Sequence, residues 1–242
     1  TLEQKREYKK KLLEFAQYYW NKSVKVQKRA DYYVYFYLIG LALLNSKGSF
    51  CFITSNSWLD IGYGKDLQEF LLKNVKIKAI YDNQAKRTFA SASINTIIAS
   101  FSAKISEEEA LQDKARFVMF KKPFEEVLFE ENIWAIDHTL SRVTTDDYCM
   151  RIFKQEEILK DGSEKIKIDK VKWDKTALDY HYVGNKWGGK YLRAPDIFYT
   201  ILEKGKDKLV KLCDIADIKR GFTTGANEFF YLPSKHFDIK EE

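Results

Sequence analysis

The sequence predicts an α/β fold, and three observations carry that prediction. An apolar helix at residues 33–44 ends at a glycine turn and runs directly into an apolar segment of strand length at 49–54. A second amphipathic helix at 66–72 precedes a second strand at 77–81. A loop of mixed small and charged residues, 83–93, then leads to a third strand at 94–101. Helix, strand, helix, strand, loop, strand is the order of half a layered α/β domain.

Taken in order, residues 2–29 read as a helix rich in Lys and Arg, with Leu12, Phe15, Tyr19 and Trp20 as its apolar stripe. Its basic side faces either phosphates or solvent. Asp31 is placed to cap the next helix, which is apolar on nearly every side and so is expected to be covered on both flanks. "NSKG" breaks that helix, with Gly48 at the turn. The acidic run "SEEEALQDK" at 106–114 reads as a boundary. Beyond it lie a strand-like "ARFVMF", a helix-like "PFEEVLFEENI" and a charged stretch from Gln155 to Lys175. Paired glycines in "NKWGGKYLRAPDIFYTILEK" precede a helix expected to begin after Pro195, and "LCDIADIKRGFTTGANEFFYL" reads as helix, strand, small-residue turn and aromatic strand.

Composition bounds the function. The 242 residues are 45% hydrophobic and 15% aromatic, enough for a substantial core and against global disorder. Forty-one basic residues against 35 acidic give a net charge of +6, which permits a polyanionic partner without demanding one. Cys51, Cys149 and Cys213 are far apart, and His138, His181 and His236 are equally scattered, so neither a disulfide nor a metal site is expected. The longest apolar run, 30–44, is too short to span a bilayer and no signal segment is read at the start. A cytoplasmic location without membrane contact is expected.

Two short motifs each have two readings. "IGYGKDL" at 61–67 contains Gly-x-Gly-Lys but lacks the remaining glycines and the Ser or Thr of a phosphate loop, and reads as a flexible turn setting the angle of the following helix. In "RTFASASINTIIASF", Phe89 stands before a strand among Ala90, Ser91, Ala92 and Ser93. Such a ring is either a lid on the core or a surface for a flat partner.

The run "YYVYFYLIGLALLNSKGSFCFITSNSWLDIGYGKDLQEFLL", followed by "IYDNQAKRTFASASINTIIASF", resembles the C-terminal half of a gamma-class N6-adenine DNA methyltransferase. The nearest subgroup is the methyltransferase and specificity part of single-chain type II, IIG-like, restriction-modification enzymes. "IKRGFTTGANEFFYL", ending at Leu232, is similar to the opening of the target recognition domain in those enzymes. The resemblance covers residues 30–104 and 186–232, and rests on the order of these segments rather than on any one of them.

The resemblance implies the C-terminal half of a Rossmann-like methyltransferase sheet at 1–104, a mixed α+β linker region at 105–212 and the truncated start of a target recognition domain at 213–242. It implies methyl transfer from S-adenosylmethionine to adenine N6 in double-stranded DNA by base flipping, in restriction-modification or phage defence. The family's Phe-x-Gly-x-Gly and Asn-Pro-Pro-aromatic motifs are absent, since the only prolines are Pro123, Pro195 and Pro233. The chain alone is therefore expected to be inactive, and a half-sheet edge to invite self-association. By position, Phe89 matches the family's stacking residue for the flipped base, while Asp31, Tyr33 and Phe36 match the wall of the cofactor pocket. Asn56 and Trp58 follow a strand at its carboxyl end and shape the cleft or the core. Lys219, Arg220, Thr223, Thr224 and Asn227 are expected at the DNA backbone, with Lys186, Lys190 and Arg193 extending that surface. Two alternatives stay open: a non-catalytic DNA-binding or specificity protein, and a methyltransferase acting on RNA or protein.

Overall fold

The computed structural model describes residues 1–20, 24–83, 85, 95–165, 180–206, 208–210 and 212–216. The chain forms two compact units, Thr1–Ala194 and Pro195–Glu242.

The first unit opens with α1 (Leu2–Tyr19), capped by a reciprocal Thr1–Gln4 box. It stops at Tyr19 rather than continuing to Arg29. Trp20 turns inward, its indole N–H donating to Leu38 O at 2.9 Å. The returning segment is tied back onto the helix where Lys9 Nζ donates to Ala30 O at 2.6 Å and Gln17 Nε2 to Val24 O at 3.0 Å. The buried stripe is also shifted from the expected one. Ala16 and Trp20 are buried with Leu13 packed beside them, whereas Phe15 and Tyr19 are exposed.

Helix α2 (Tyr32–Ala42) begins at Asp31, whose carboxylate accepts the Tyr32 N–H at 2.9 Å. It packs on α1 and against β1 (Ser49–Ser55) and β3 (Thr96–Lys104), which explains its apolar circumference. Tyr37 sits at the centre of this layer, fully buried, with Phe50, Phe52, Trp58 and Phe101 around its ring. After β1 a 3-10 turn (Asn56–Leu59) leads to α3 (Gly64–Asn74) and β2 (Val75–Asn83).

One six-stranded sheet has the order β1-β3-β2-β4-β6-β5, taking in β4 (Lys114–Phe120), β5 (Val143–Thr144) and β6 (Tyr148–Lys154). Strand β3 runs antiparallel to both β1 and β2, while β2 and β4 are parallel. The fold is thus mixed α/β, as the sequence predicts. Helices α4 (Glu107–Gln112), α5 (Phe124–Val127), α6 (Glu130–His138) and α7 (Gln155–Asp161) connect and flank the later strands. A short antiparallel pair, β7 (Ser163–Lys165) with β8 (Tyr180–Tyr182), precedes a π-helical segment at Gly188–Arg193.

In the second unit the expected helix after Pro195 is α8 (Asp196–Lys204), followed by α9 (Leu212–Ile215). Among the described residues no helix is long and apolar enough to cross a membrane.

Candidate functional site

Strands β1 and β2 flank β3 and point the same way, so their carboxyl ends share one edge of the sheet, where ligands of open α/β sheets bind. Asn56 stands at that edge, half-buried, its backbone N–H donating to Asn95 O at 3.0 Å beside the entry to β3. Trp58, two residues on, goes the other way. It is fully buried and meets Tyr37 and Trp187 edge-on, both at 5.7 Å between ring centres. Its ring therefore serves the core.

The turn after Trp58 is held by a close approach that only glycine allows. A side chain at Gly64 would collide with the Trp58 carbonyl. Gln68, buried on α3, donates to Trp58 O at 2.9 Å and Leu59 O at 3.1 Å, and accepts the Tyr182 hydroxyl at 2.9 Å. The turn in "IGYGKDL", expected to be flexible, is instead held in place by these contacts.

Of the α2 residues singled out from sequence, Asp31 is exposed and caps the helix. Tyr33 is half-buried and shares a hydrogen bond with the Tyr63 hydroxyl at 2.6 Å; burial, then that bond, raises its pKa. Phe36 is 49% exposed, leaving ring surface open to a flat apolar ligand.

A charged clamp closes over the same strand edge. Asp82, near the end of β2, and Asp60, after the 3-10 turn, both bind Arg193 of the π-helical segment. Arg193 Nη1 donates to Asp82 Oδ2 at 3.1 Å, and Nη2 to Asp60. Asp60 Oδ1 also accepts the Gly189 N–H at 3.0 Å. Gly188 has no side chain where any Cβ would push into the Arg193 guanidinium and the Asp60 carboxylate. Burial raises the Asp82 pKa, against the Asn83 amide and Arg193, which lower it.

Behind the clamp, buried Arg151 donates to the carbonyls of Tyr191, Leu192 and Ala194 and so fixes the end of the π-helical segment. Lys190 binds Asp161, which also accepts the Tyr191 hydroxyl at 2.7 Å and the Asn185 amide. The structure therefore brings Arg193 to the strand edge and commits both Arg193 and Lys190 to carboxylates, while Lys186 is exposed. Asp60 and Asp82 were not singled out from sequence. Their signal is a lone carboxylate directly after an apolar strand or turn, as in "SNSWLD" and "KAIYD".

Phe89 lies outside the described residues, as do Lys219, Arg220, Thr223, Thr224 and Asn227. Strand β2 ends at Asn83 and β3 begins at Thr96, both at the edge occupied by Asn56 and Asp82. Among the described residues no group of three or more His, Cys, Asp or Glu side chains could hold a metal ion.

Residues 3–89 match the Eco57I restriction-modification methylase. The matched segment runs from the first turn of α1 through α2, β1, α3 and β2 and reaches Phe89. No curated protein matches significantly. Among solved structures, the chain is similar to the type IIG restriction endonuclease BpuSI at 17% identity, covering 51% of this chain and 14% of that one, with a TM-score of 0.41. It is similar to the EcoKI M protein of a type I restriction enzyme at 16% identity, covering 53% and 35%, with a TM-score of 0.37. A structure describing complex assembly and conformational transition of a type I restriction-modification system aligns at 16% identity, covering 77% and 39%, with a TM-score of 0.41. The chain thus spans 14–39% of the length of these structures.

Proposed function

We propose that the protein bearing these residues transfers a methyl group from S-adenosylmethionine to adenine N6 in a specific sequence of double-stranded DNA, as a cytoplasmic component of restriction-modification. The observation that carries this reading is the methylase match over residues 3–89, which spans the candidate cofactor wall and ends on the candidate stacking residue. Base flipping follows from chemistry, because an adenine amine within the stack is beyond the reach of an active site.

The residues present fit such a cofactor in kind. Asp31 keeps an exposed carboxylate able to accept hydrogen bonds from hydroxyl or ammonium groups, and Phe36 keeps an exposed ring face for an adenine. The cofactor, when bound, supplies the electrophilic methyl group. Asn56, at the strand edge, offers an amide next to Asn95 at the entry to β3. In this reading Phe89 stacks on the extruded base and replaces part of the stacking lost on flipping, on the order of 1–3 kcal/mol. Lys219, Arg220, Thr223, Thr224 and Asn227 approach the phosphates and set register, and Lys186 offers a further phosphate contact.

The test uses the full-length protein with labelled cofactor and duplex DNA. Phe89→Ala is expected to lower methyl transfer at least tenfold, and Phe89→Trp to retain most of it. Unchanged turnover together with unchanged DNA affinity in Phe89→Ala would remove Phe89 from the site. Methyl transfer to RNA or protein but not to DNA would replace the acceptor.

A further inference from the structure

A second site lies between α1 and the returning segment at 24–30. A groove of about 680 Å³ opens there, and its walls carry Arg6, Lys9 and Lys10 from the helix and Lys28 and Arg29 from the segment. No carboxylate lines it; its floor is Leu13, Val26 and Tyr35. Three cations at positions 6, 9 and 10 fall on one helix face, since residues three and four apart are neighbours there. Both walls are pinned together by the bonds from Lys9 to Ala30 O and from Gln17 to Val24 O, so the groove is formed before anything enters it.

Tyr35 supplies the second observation. Only 3% of the residue is exposed, yet it lines the groove. Its phenol is protonated at neutral pH, like any tyrosine, and can donate a hydrogen bond. Among the groove cations Lys10 forms an i,i+4 ion pair with Glu14 at 3.8 Å.

We infer that this groove seats one phosphate strand of duplex DNA, with Arg6, Lys28 and Arg29 neutralising phosphates and the Tyr35 hydroxyl donating to a phosphate oxygen. That the polyanion is DNA rests on the methylation reading; that it is a polyanion rests on the groove alone. Cations on both walls suit contacts to phosphates, which position a duplex without reading its sequence. It adds affinity and holds the duplex, and leaves target choice to other surfaces.

The experiment measures binding of the full-length protein to a fluorescent duplex of arbitrary sequence across a salt series. The groove variant is Arg6→Glu, Lys28→Glu, Arg29→Glu, sparing Lys9 because it pins the wall; the control is Lys47→Glu, Lys114→Glu, Lys160→Glu, with the same charge change elsewhere. The groove variant is expected to bind at least tenfold more weakly at low salt, and its slope of log K against log salt to shrink by about 0.9 for each phosphate that is no longer neutralised. The control should lie within threefold of the native protein. Equal behaviour of the two variants overturns the proposal, and so does a groove variant that loses binding to duplex RNA but keeps it for duplex DNA. If the triple variant fails to fold, Arg6→Gln with Arg29→Gln is read by the same comparison, with a threefold or greater loss expected. Because binding is read without methyl transfer, absence of methylation in the native protein would sink the methylation reading and leave the groove measurement standing.

Discussion

Arg193 joins Asp82 at 3.1 Å across 111 residues of chain, and its other terminal nitrogen reaches Asp60. This single guanidinium ties the carboxyl ends of β1 and β2 to the π-helical segment above them. Asp82 is nearly fully buried, so its charge depends on this partner and on the Asn83 amide.

Arg193→Ala should therefore destabilise the protein by about 1–3 kcal/mol, the usual effect of stranding a buried acceptor. Adding Asp82→Asn to that variant should return at least half of the loss, because the orphaned charge is then gone. Denaturant unfolding of the two single variants and the double gives the coupling directly. Additive losses would mean that the pair is not coupled.

Asp82 and Asp161 should respond to pH in opposite senses. Burial raises Asp82, so its folded form holds a proton more tightly; its stabilising contribution is complete below the ordinary value of 3.8 and is lost as pH rises through the raised folded value. In Asp161 burial also pushes upward, but Lys190, Tyr191 and Asn185 together outweigh it and the net shift is downward. Its contribution is complete above the ordinary value and is lost as pH falls through the lowered folded value. Unfolding measured through the acid range should show native protein losing ground to Asp82→Asn as pH rises, and gaining on Asp161→Asn. Parallel profiles in either comparison would contradict the assignment.

Gln155 is fully buried and takes three main-chain partners: Ile77 N–H at 2.8 Å, Leu72 O at 2.9 Å and Val75 O at 3.0 Å. Gln155→Leu should cost about 2–4 kcal/mol, since it leaves these groups without that side chain. Gln155→Glu keeps the acceptor for Ile77 but sets a carboxylate against two carbonyls. Its thermal midpoint should fall at neutral pH and partly recover in acid.

Gly64→Ala should cost about 3 kcal/mol, because the obstacle is the Trp58 backbone rather than a side chain that can swing aside. Gly62, with open space around its Cβ position, is the matched control, and alanine there should change the midpoint little.

Much of the α/β order was legible because it is written locally. Strand β1 is an apolar run between turns, and α2 is announced by Asp31, although it ends at Ala42 before the glycine turn. What escaped depends on distant partners. Strand β6 carries Arg151 at its centre, and a charge there reads as surface until one sees it absorbed by carbonyls of residues 191–194. Gln155 opens a stretch that reads as charged and solvated, although it is wholly enclosed. The end of α1 at Tyr19 likewise depends on Leu38 O and Ala30 O, which nothing in the basic run foretells. At the candidate site, Asp31 was legible from its capping position. The roles of Lys190 and Arg193 were not, because the acids that engage them lie elsewhere in the sequence.

The strand order imposes a sequence of events on synthesis. Strands β1 and β2 are consecutive in the chain but never touch, because β3 lies between them and bonds to both. A nascent chain that has reached Asn83 holds two strands separated by an empty lane, each with unsatisfied amides along it. Only when residues 96–104 emerge can that lane be filled, and both ladders close together. A pause in that interval would leave an unpaired lane open to other chains, so yield should depend on translation speed over the later codons being read while residues 84–104 leave the ribosome.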